Sequence, residues 1–191
     1  MKHTQTAYLI LGVLSFHPHQ TGYHIRKTVE GGIRYFWGES YGQLYPTLKR
    51  LAAEGLIEPS GVEGPKRAQA YSITDAGRAC LQEWLAVPFR EDPPRDEFLL
   101  KLFFGVNAGP EIAIGQLNDF QQRARKLLAT LQEMNKLAAK QNKQHPGFPY
   151  WMLTLEYGLA QVNAALDWSD RAAAELRRLS RQNRKQENSH G

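Results

Sequence analysis

The alternation of apolar and polar residues predicts two short helices at the start of the chain. Residues 4–15 are mostly apolar, and His17-Pro18 ends that run. Thr21 stands where a helix cap is needed, because its hydroxyl can accept a hydrogen bond from an otherwise unpaired backbone amide. We expect a second helix from there to about Glu30, with Gly31-Gly32 ending it.

A third helix is predicted in the segment Ser40–Gly55, with Ser40 and Gln43 spaced as a capping box and Gly55 as its stop. Three leucines recur at intervals of four and three residues, which places them on one buried face: Leu44, Leu48 and Leu51. The other face carries side chains that donate hydrogen bonds, namely Tyr41, Gln43, Tyr45, Lys49 and Arg50. Such a helix fits the major groove of DNA, although the segment taken alone favours an ordinary amphipathic surface helix.

Two strand-like runs follow, at residues 56–59 and 70–73, and a turn-rich loop of residues 60–69 joins them. Lys66 and Arg67 stand near the far end of that loop. A two-stranded ribbon with cations at its tip is typical of the wing that winged-helix proteins lay against DNA phosphates or the minor groove. A plain surface hairpin is the alternative, but the position directly behind the third helix favours a DNA contact.

A proline-rich stretch separates this region from the second half of the chain, because proline lacks the amide that a continuing helix needs. We expect a winged-helix DNA-binding domain at residues 1–88, a linker at 89–95, a helical dimerisation domain at 96–182 and a disordered tail at 183–191. The predicted fold class is mainly α: a winged helix-turn-helix of three helices and a two-stranded wing, then long antiparallel helices.

The second half predicts a short helix at residues 96–104, a long helix from Glu111 to about Asn142, and another long helix after a turn at 144–149. Pro110 suits the first position of the long helix, where no amide hydrogen is needed. Apolar residues recur at three and four residues, the spacing of a coiled-coil seam, at Leu117, Phe120, Leu127, Leu131, Met134, Leu155, Leu159, Val162 and Leu166. We expect this seam to meet a second copy about a two-fold axis. The alternative is a monomer whose long helices fold back over the winged domain.

Charge and composition narrow the function only slightly. The chain of 191 residues has a net charge of +5, and the surplus is divided between residues 1–85, with 9 Lys+Arg against 7 Asp+Glu, and residues 86–191, with 15 against 12. This balance is compatible with nucleic acid without requiring it. Cys80 is the single cysteine, so a disulfide within the chain is excluded. The apolar run near the start is too short to span a membrane, and we expect a cytoplasmic protein.

The sequence contains little that indicates an enzyme. We find no glycine-rich phosphate loop after a strand, no pairing of nucleophile and base, and no cluster with metal-ligand spacing. His17, His19 and His24 fit turn and surface positions better than a metal site, and no cofactor is expected. The rival to a DNA-binding regulator is a winged-helix module that binds only proteins.

Several stretches of the chain resemble the PadR family of transcriptional regulators. The similarity is carried by residues 8–14 (YLILGVL), 21–25 (TGYHI), 36–37 (FW), 43–51 (QLYPTLKRL), 54–57 (EGLI), 71–77 (YSITDAG) and 96–104 (DEFLLKLFF). It extends over nearly the whole chain and is most specific between Gln43 and Ile57. The long helical region resembles the longer family members, those related to the phenolic-acid-responsive repressor.

The resemblance implies a homodimeric repressor of promoter DNA, whose repression a small aromatic effector relieves in many members. It implies DNA contacts from Ser40, Tyr41, Gln43, Tyr45 and Lys49 on the third helix, from Tyr23 to the backbone, and from Lys66 and Arg67 in the wing. By chemistry Gln43 suits a base edge, since an amide can pair with adenine, and Tyr45 could instead be a core tyrosine. Gly42 departs from the small polar residue usual at its place, and no effector-binding signature is found.

Two further clusters have alternative interpretations. Trp151, Tyr157 and Trp168 could form an aromatic pocket at the dimer interface, although core packing explains them as well. A basic helix end contains Arg177, Arg178, Arg181, Arg184 and Lys185. These cations complement the negative end of the helix dipole, and DNA contact is the alternative.

Overall fold

The computed structural model describes residues 3–37, 41–63, 67–89, 95–138, 140 and 143–187. The chain divides into two compact units, Met1–Glu91 and Asp92–Gly191, and the division falls inside residues 89–95, which we expected to be a linker. None of the helices in the described part of the chain combines the length and apolar character needed to cross a membrane.

The described residues of the first unit form four helices and a three-stranded antiparallel sheet. The helices are α1 (Gln5–Phe16), α2 (Gly22–Gly32), α3 (Leu44–Ala53) and α4 (Asp75–Ala86), and a 3-10 turn at Tyr41–Gln43 leads into α3. The strands are β1 (Gln20–Thr21), β2 (Ile57–Glu63) and β3 (Ala68–Ile73), in the spatial order β1-β3-β2. The mainly α winged-helix prediction is confirmed, but the sheet has one strand more than the two expected.

The extra strand and the longer wing are the two local differences from prediction. β1 pairs Gln20 with Tyr71 and Thr21 with Ala70, and two residues are too few to show a periodic pattern. In β2 the register shifts between Pro59 and Gly61, where Gly61 has a φ of 136°. This irregularity lets pairing continue beyond Pro59, the residue predicted to end the strand.

The core of the first unit is built from the apolar faces that the sequence predicts. α1 contributes Ile10, Leu11 and Leu14, all fully buried, and α3 contributes its three leucines, none more than 3% exposed. Thr21 caps α2 by accepting a hydrogen bond from the His24 amide at 3.3 Å, as predicted. Each large buried side chain contributes about 1.5–3 kcal/mol, so this packing fixes how α3 is rotated about its axis.

The end of α3 is joined to the wing and to α4 through Thr74. The Thr74 hydroxyl donates to the Gly55 carbonyl at 2.7 Å and accepts from the Gly77 amide at 3.1 Å. A Cβ on Gly77 would lie 2.0 Å from the Leu56 carbonyl oxygen, so no larger residue fits at this contact. Gly55 itself has a φ of 70°, the left-handed conformation that ends a helix.

The second unit is an antiparallel helix pair with a short helix before it. Its elements are α5 (Glu97–Phe103), a 3-10 turn (Gly105–Asn107), α6 (Pro110–Ala138) and α7 (Phe148–Glu187). Pro110 is the first residue of α6, as predicted. We expected a tail from residue 183, but α7 continues to Glu187 because residues 183–187 contain neither glycine nor proline; residues 188–191 lie outside the described part.

Much of the predicted dimer seam closes within one chain. Leu117, Leu131, Leu155 and Val162 are at most 5% exposed between α6 and α7 of the same chain. The antiparallel neighbour supplies the partner that the apolar periodicity requires, so in this fold these four residues are not free to contact a second copy. Of the other predicted seam residues, Phe120, Met134, Leu159 and Leu166 are half-buried, and Leu127 is 37% exposed.

A buried polar contact fixes the register of the two long helices. The Gln121 side-chain amide donates to the Ser169 hydroxyl at 3.0 Å and to the Asp170 carboxylate at 2.8 Å. Ser169 is fully buried and Gln121 is 7% exposed. A slip of α6 along α7 would leave the buried Gln121 amide without these partners, which costs about 1–3 kcal/mol.

Candidate nucleic-acid interface

The polar face of α3 lies at the surface of the first unit. Gln43, Tyr45 and Lys49 are exposed, while Leu44 and Leu48 on the opposite side are buried. The burial of one side therefore leaves a row of hydrogen-bonding side chains facing outward. All three exposed side chains are predicted DNA contacts, and they lie together on this surface.

The start of α3 differs from the predicted capping box. Ser40 lies outside the described residues, and nothing is described of the Tyr41 side chain. Gln43 occupies the cap position itself, not the third helical position, and its side chain makes no capping hydrogen bond. Pro46 is the third residue of α3 and has no amide hydrogen, so one donor that a cap would satisfy is absent. The Gln43 amide therefore remains exposed to a ligand.

Tyr45 is a surface residue that packs against the first turn of α2. Its side chain is 56% exposed, so the alternative of a core tyrosine is wrong. A Cβ built on Gly22 would lie 2.6 Å from Cε1 of the Tyr45 ring and 3.2 Å from Cδ1 of Leu48. The absence of a side chain at Gly22 thus gives the tyrosine ring the space it occupies on this surface.

The start of α2 adds a further exposed tyrosine and a lysine. Tyr23 is 55% exposed, and the Lys27 ammonium lies 5.8 Å from the centre of its ring. Tyr23 is among the predicted DNA contacts, whereas Lys27 is not. The four-residue spacing between them was the available signal, because it places both on one side of a helix.

Arg50 makes a hydrogen bond to another part of the first unit. Its guanidinium donates to the Thr4 hydroxyl at 3.1 Å and so ties α3 to the start of α1. The sequence placed Arg50 among the donors of the polar face, but this bond directs it toward α1.

The wing presents Arg67 at its turn. Arg67 is exposed with a φ of 48°, whereas Lys66 lies outside the described residues. The Gln69 side-chain amide supports the adjoining ribbon by donating to the carbonyls of Gly61 and Ala70, both at 2.8 Å. An exposed cation on a stiffened ribbon suits contact with phosphate.

The histidines near β1 lie at the surface of the first unit. His17, His19 and His24 are exposed, and the His19 amide donates to the Ser72 hydroxyl at 3.1 Å. Among the residues that the structure describes, no three of His, Cys, Asp and Glu are grouped so as to hold a metal ion.

Comparison with known proteins supports the architecture of both units. A family model described as "Transcriptional regulator PadR-like family" matches residues 10–83, and one described as "Virulence activator alpha C-term" matches residues 94–177. The chain is 32% identical over 131 residues to the negative transcriptional regulator PadR of Bacillus subtilis (strain 168), a match that covers 65% of this chain and 70% of PadR.

Two crystal structures of Bacillus subtilis PadR share the fold. The complex with operator DNA has a TM-score of 0.77 and 25% identity, covering 89% of this chain and 98% of that chain. The complex with p-coumaric acid has a TM-score of 0.72 and 28% identity, covering 89% and 97%. The fold and the exposed face of α3 define a winged-helix transcriptional regulator. Within that class, this chain belongs to the PadR-like family of transcriptional regulators.

Replacing Gly22 by alanine tests the surface position of Tyr45. The new methyl group would displace the tyrosine ring, and we expect DNA affinity to fall about tenfold, equivalent to roughly 1.4 kcal/mol. The matched control is Gly31→Ala in the same helix, where a Cβ meets no atom within 4 Å. Fluorescence anisotropy with promoter DNA measures affinity, and circular dichroism checks folding. Equal affinity for both folded variants would remove Tyr45 from the interface.

Proposed function

We propose that this protein is a homodimeric repressor that binds promoter DNA through its winged helix and is released by a small aromatic effector. The observation that carries the proposal is the row of exposed donors on α3, directly followed by a wing with a cation at its turn. The operator complex of Bacillus subtilis PadR, with the same fold, supports DNA as the ligand. That relative's description as a negative regulator supports repression.

In this proposal α3 reads bases and the surrounding residues hold the phosphate backbone. Gln43 pairs with the edge of an adenine in the major groove, because an amide both donates and accepts there. Tyr23, Tyr45 and Lys49 bind phosphates or position the helix, as do Ser40 and Tyr41. Phosphate contacts set affinity and orientation, so sequence preference is expected to depend mainly on Gln43.

The homodimer is proposed to form through apolar surface that the single chain leaves uncovered. Between residues 99 and 112, six large apolar side chains are at least half exposed, with Phe103 at 81% and Val106 at 90%: Leu99, Leu100, Phe103, Phe104, Val106 and Ile112. A patch of this kind on a water-soluble protein is typical of an interface. This apolar segment replaces the buried part of the predicted seam as the place where a second copy binds.

An effector is proposed because a relative of the same fold was crystallised with p-coumaric acid. The aromatic pocket considered from the sequence does not carry this proposal: Trp168 packs with Phe98 and Phe120, Trp151 stacks on His145, and Tyr157 is 63% exposed. An effector must bind two states of the dimer unequally to change DNA affinity. Release of the promoter complex by added phenolic acids supports this part, and an unchanged complex counts against it.

The wing is tested by the double variant Lys66→Ala/Arg67→Ala. Because the wing would contact phosphates, we expect weaker binding to all DNA and a loss of about one from the slope of log affinity against log salt for each contact. Binding is measured on promoter and random duplexes over a range of salt concentrations. An unchanged slope with affinity lost only at the promoter would refute the wing assignment. A protein that binds no DNA but captures a protein partner would favour the rival module.

The apolar segment is tested by Phe103→Ser/Val106→Asp. Light scattering should give twice the chain mass of 21.7 kDa for the wild type and the single mass for this variant, since a charge in the interface opposes association. Gln122→Asp, at an exposed position of α6, is the control and should stay dimeric. A monomeric wild type would contradict the homodimer. A dimeric double variant would place the interface elsewhere.

A further inference from the structure

The end of α7 carries a local net charge of +4, against +5 for the whole chain. From residue 171 onward the chain has six basic residues and two acidic residues, a surplus of four, whereas the net charge of the whole chain is +5. The first 85 residues, which include the winged helix, have a surplus of only two. The charge therefore concentrates at a distance along the sequence from the helix proposed to read DNA.

Arg178 and Arg184 make contacts within the protein. The Arg178 guanidinium donates to both carboxylate oxygens of Glu175, at 2.8 and 2.6 Å, and this bond lowers the pKa of Glu175. Arg184 lies 3.7 Å from the carboxylate of Glu111, which also accepts a hydrogen bond from Ser180 at 2.8 Å. These pairs explain Arg178 and Arg184 as intramolecular contacts.

Among the described residues, no intramolecular contact of this kind accounts for Arg177 and Arg181. Both are exposed, and neither makes an ion pair or hydrogen bond with any residue that the structure describes. The helix dipole does not account for them either, since its effect fades within the last turn of a helix. Arg184 and Lys185 occupy that last turn, and Arg177 and Arg181 precede it.

The spacing of these cations produces a charged line on one flank of α7. Arg177, Arg181 and Lys185 succeed one another at intervals of four residues, so neighbouring Cβ atoms are about 6 Å apart and the line is about 12 Å long. The buried residues of this end, Ala173 and Ser180, face α6 and the core of the second unit. We call the line from Arg177 to Lys185 the α7 basic face.

A polyanion with closely spaced charges matches this surface better than a lipid bilayer does. A helix that lies on a membrane needs large apolar side chains to insert beside its cations. Residues 177–185 include one large apolar residue, Leu179, which is 37% exposed, and no aromatic residue. Duplex DNA carries one charge per roughly 1.7 Å of axis, and arginine binds phosphate with two parallel hydrogen bonds.

We propose that the α7 basic face is a second DNA-binding surface, which contacts the phosphate backbone without reading sequence. The inference goes beyond the proposed winged-helix contact and rests on it only in that both take DNA as ligand. Its contribution is counterion release, which raises affinity for any duplex and adds to the salt dependence of binding.

The test compares full-length Arg177→Gln/Arg181→Gln with Arg125→Gln/Lys126→Gln, which removes two exposed cations from α6. Affinity for a random duplex and for the promoter is measured between about 50 and 200 mM salt. We expect the α7 variant to lose nearly two from the log–log slope on both duplexes, about 0.9 for each phosphate. The α6 variant should keep the wild-type slope. Arg177→Lys/Arg181→Lys retains the charge and should restore the slope, which separates charge loss from misfolding.

Three results would overturn the inference: equal slopes for the α7 and α6 variants, a slope not restored by lysine, or α7-dependent binding to anionic phospholipid vesicles with no change on DNA. The outcome is separable from that of the winged helix. If the wing variant leaves DNA binding intact while the α7 variant reduces it, the proposed wing contact fails and this inference stands. If the wing variant alone weakens binding, the inference fails and the proposed wing contact stands.

Discussion

Burial of one side of α3 is the constraint on which the proposed interface depends. Leu44, Leu48 and Leu51 pack into the same core as α1, and together they contribute several kcal/mol at about 1.5–3 kcal/mol for each leucine. A rotation of the helix would expose them, so the polar side is held outward. Gln43, Tyr45 and Lys49 are therefore presented by a packed helix and not by a loop. A reading surface on a rigid element loses little conformational freedom when DNA binds.

Hydrogen bonds and a close backbone contact hold the base of the wing to the end of α3. Thr74 bonds to the turn after α3 and to the first turn of α4, while Gly77 allows the Leu56 carbonyl to approach closely. The base of the wing and the end of α3 thus form one block. The base of the wing and the face of α3 consequently have a fixed relation within the first unit.

The sequence predicted those parts of the fold whose causes are local. The cap Thr21, the stop at Gly55, Pro110 at a helix start and the leucine face of α3 each follow from the chemistry of one or two helical turns. Periodicity could not identify which helix covers an apolar stripe, and four of the nine residues assigned to the seam are buried between α6 and α7 of one chain. The candidate site could also be predicted only in part, because tyrosine occurs both in cores and on surfaces. The exposure of Tyr45 and its packing against Gly22 show that it is a surface residue.

The central claim is that two copies present matched α3 helices to successive turns of a duplex. Hydroxyl-radical footprinting of the full-length protein on the promoter upstream of its own gene tests it most directly. The account predicts two symmetric protected half-sites whose centres lie about 10 base pairs, or a multiple of that, apart on one face of the DNA. A single unpaired protected site, or no protection on any promoter fragment, would contradict it.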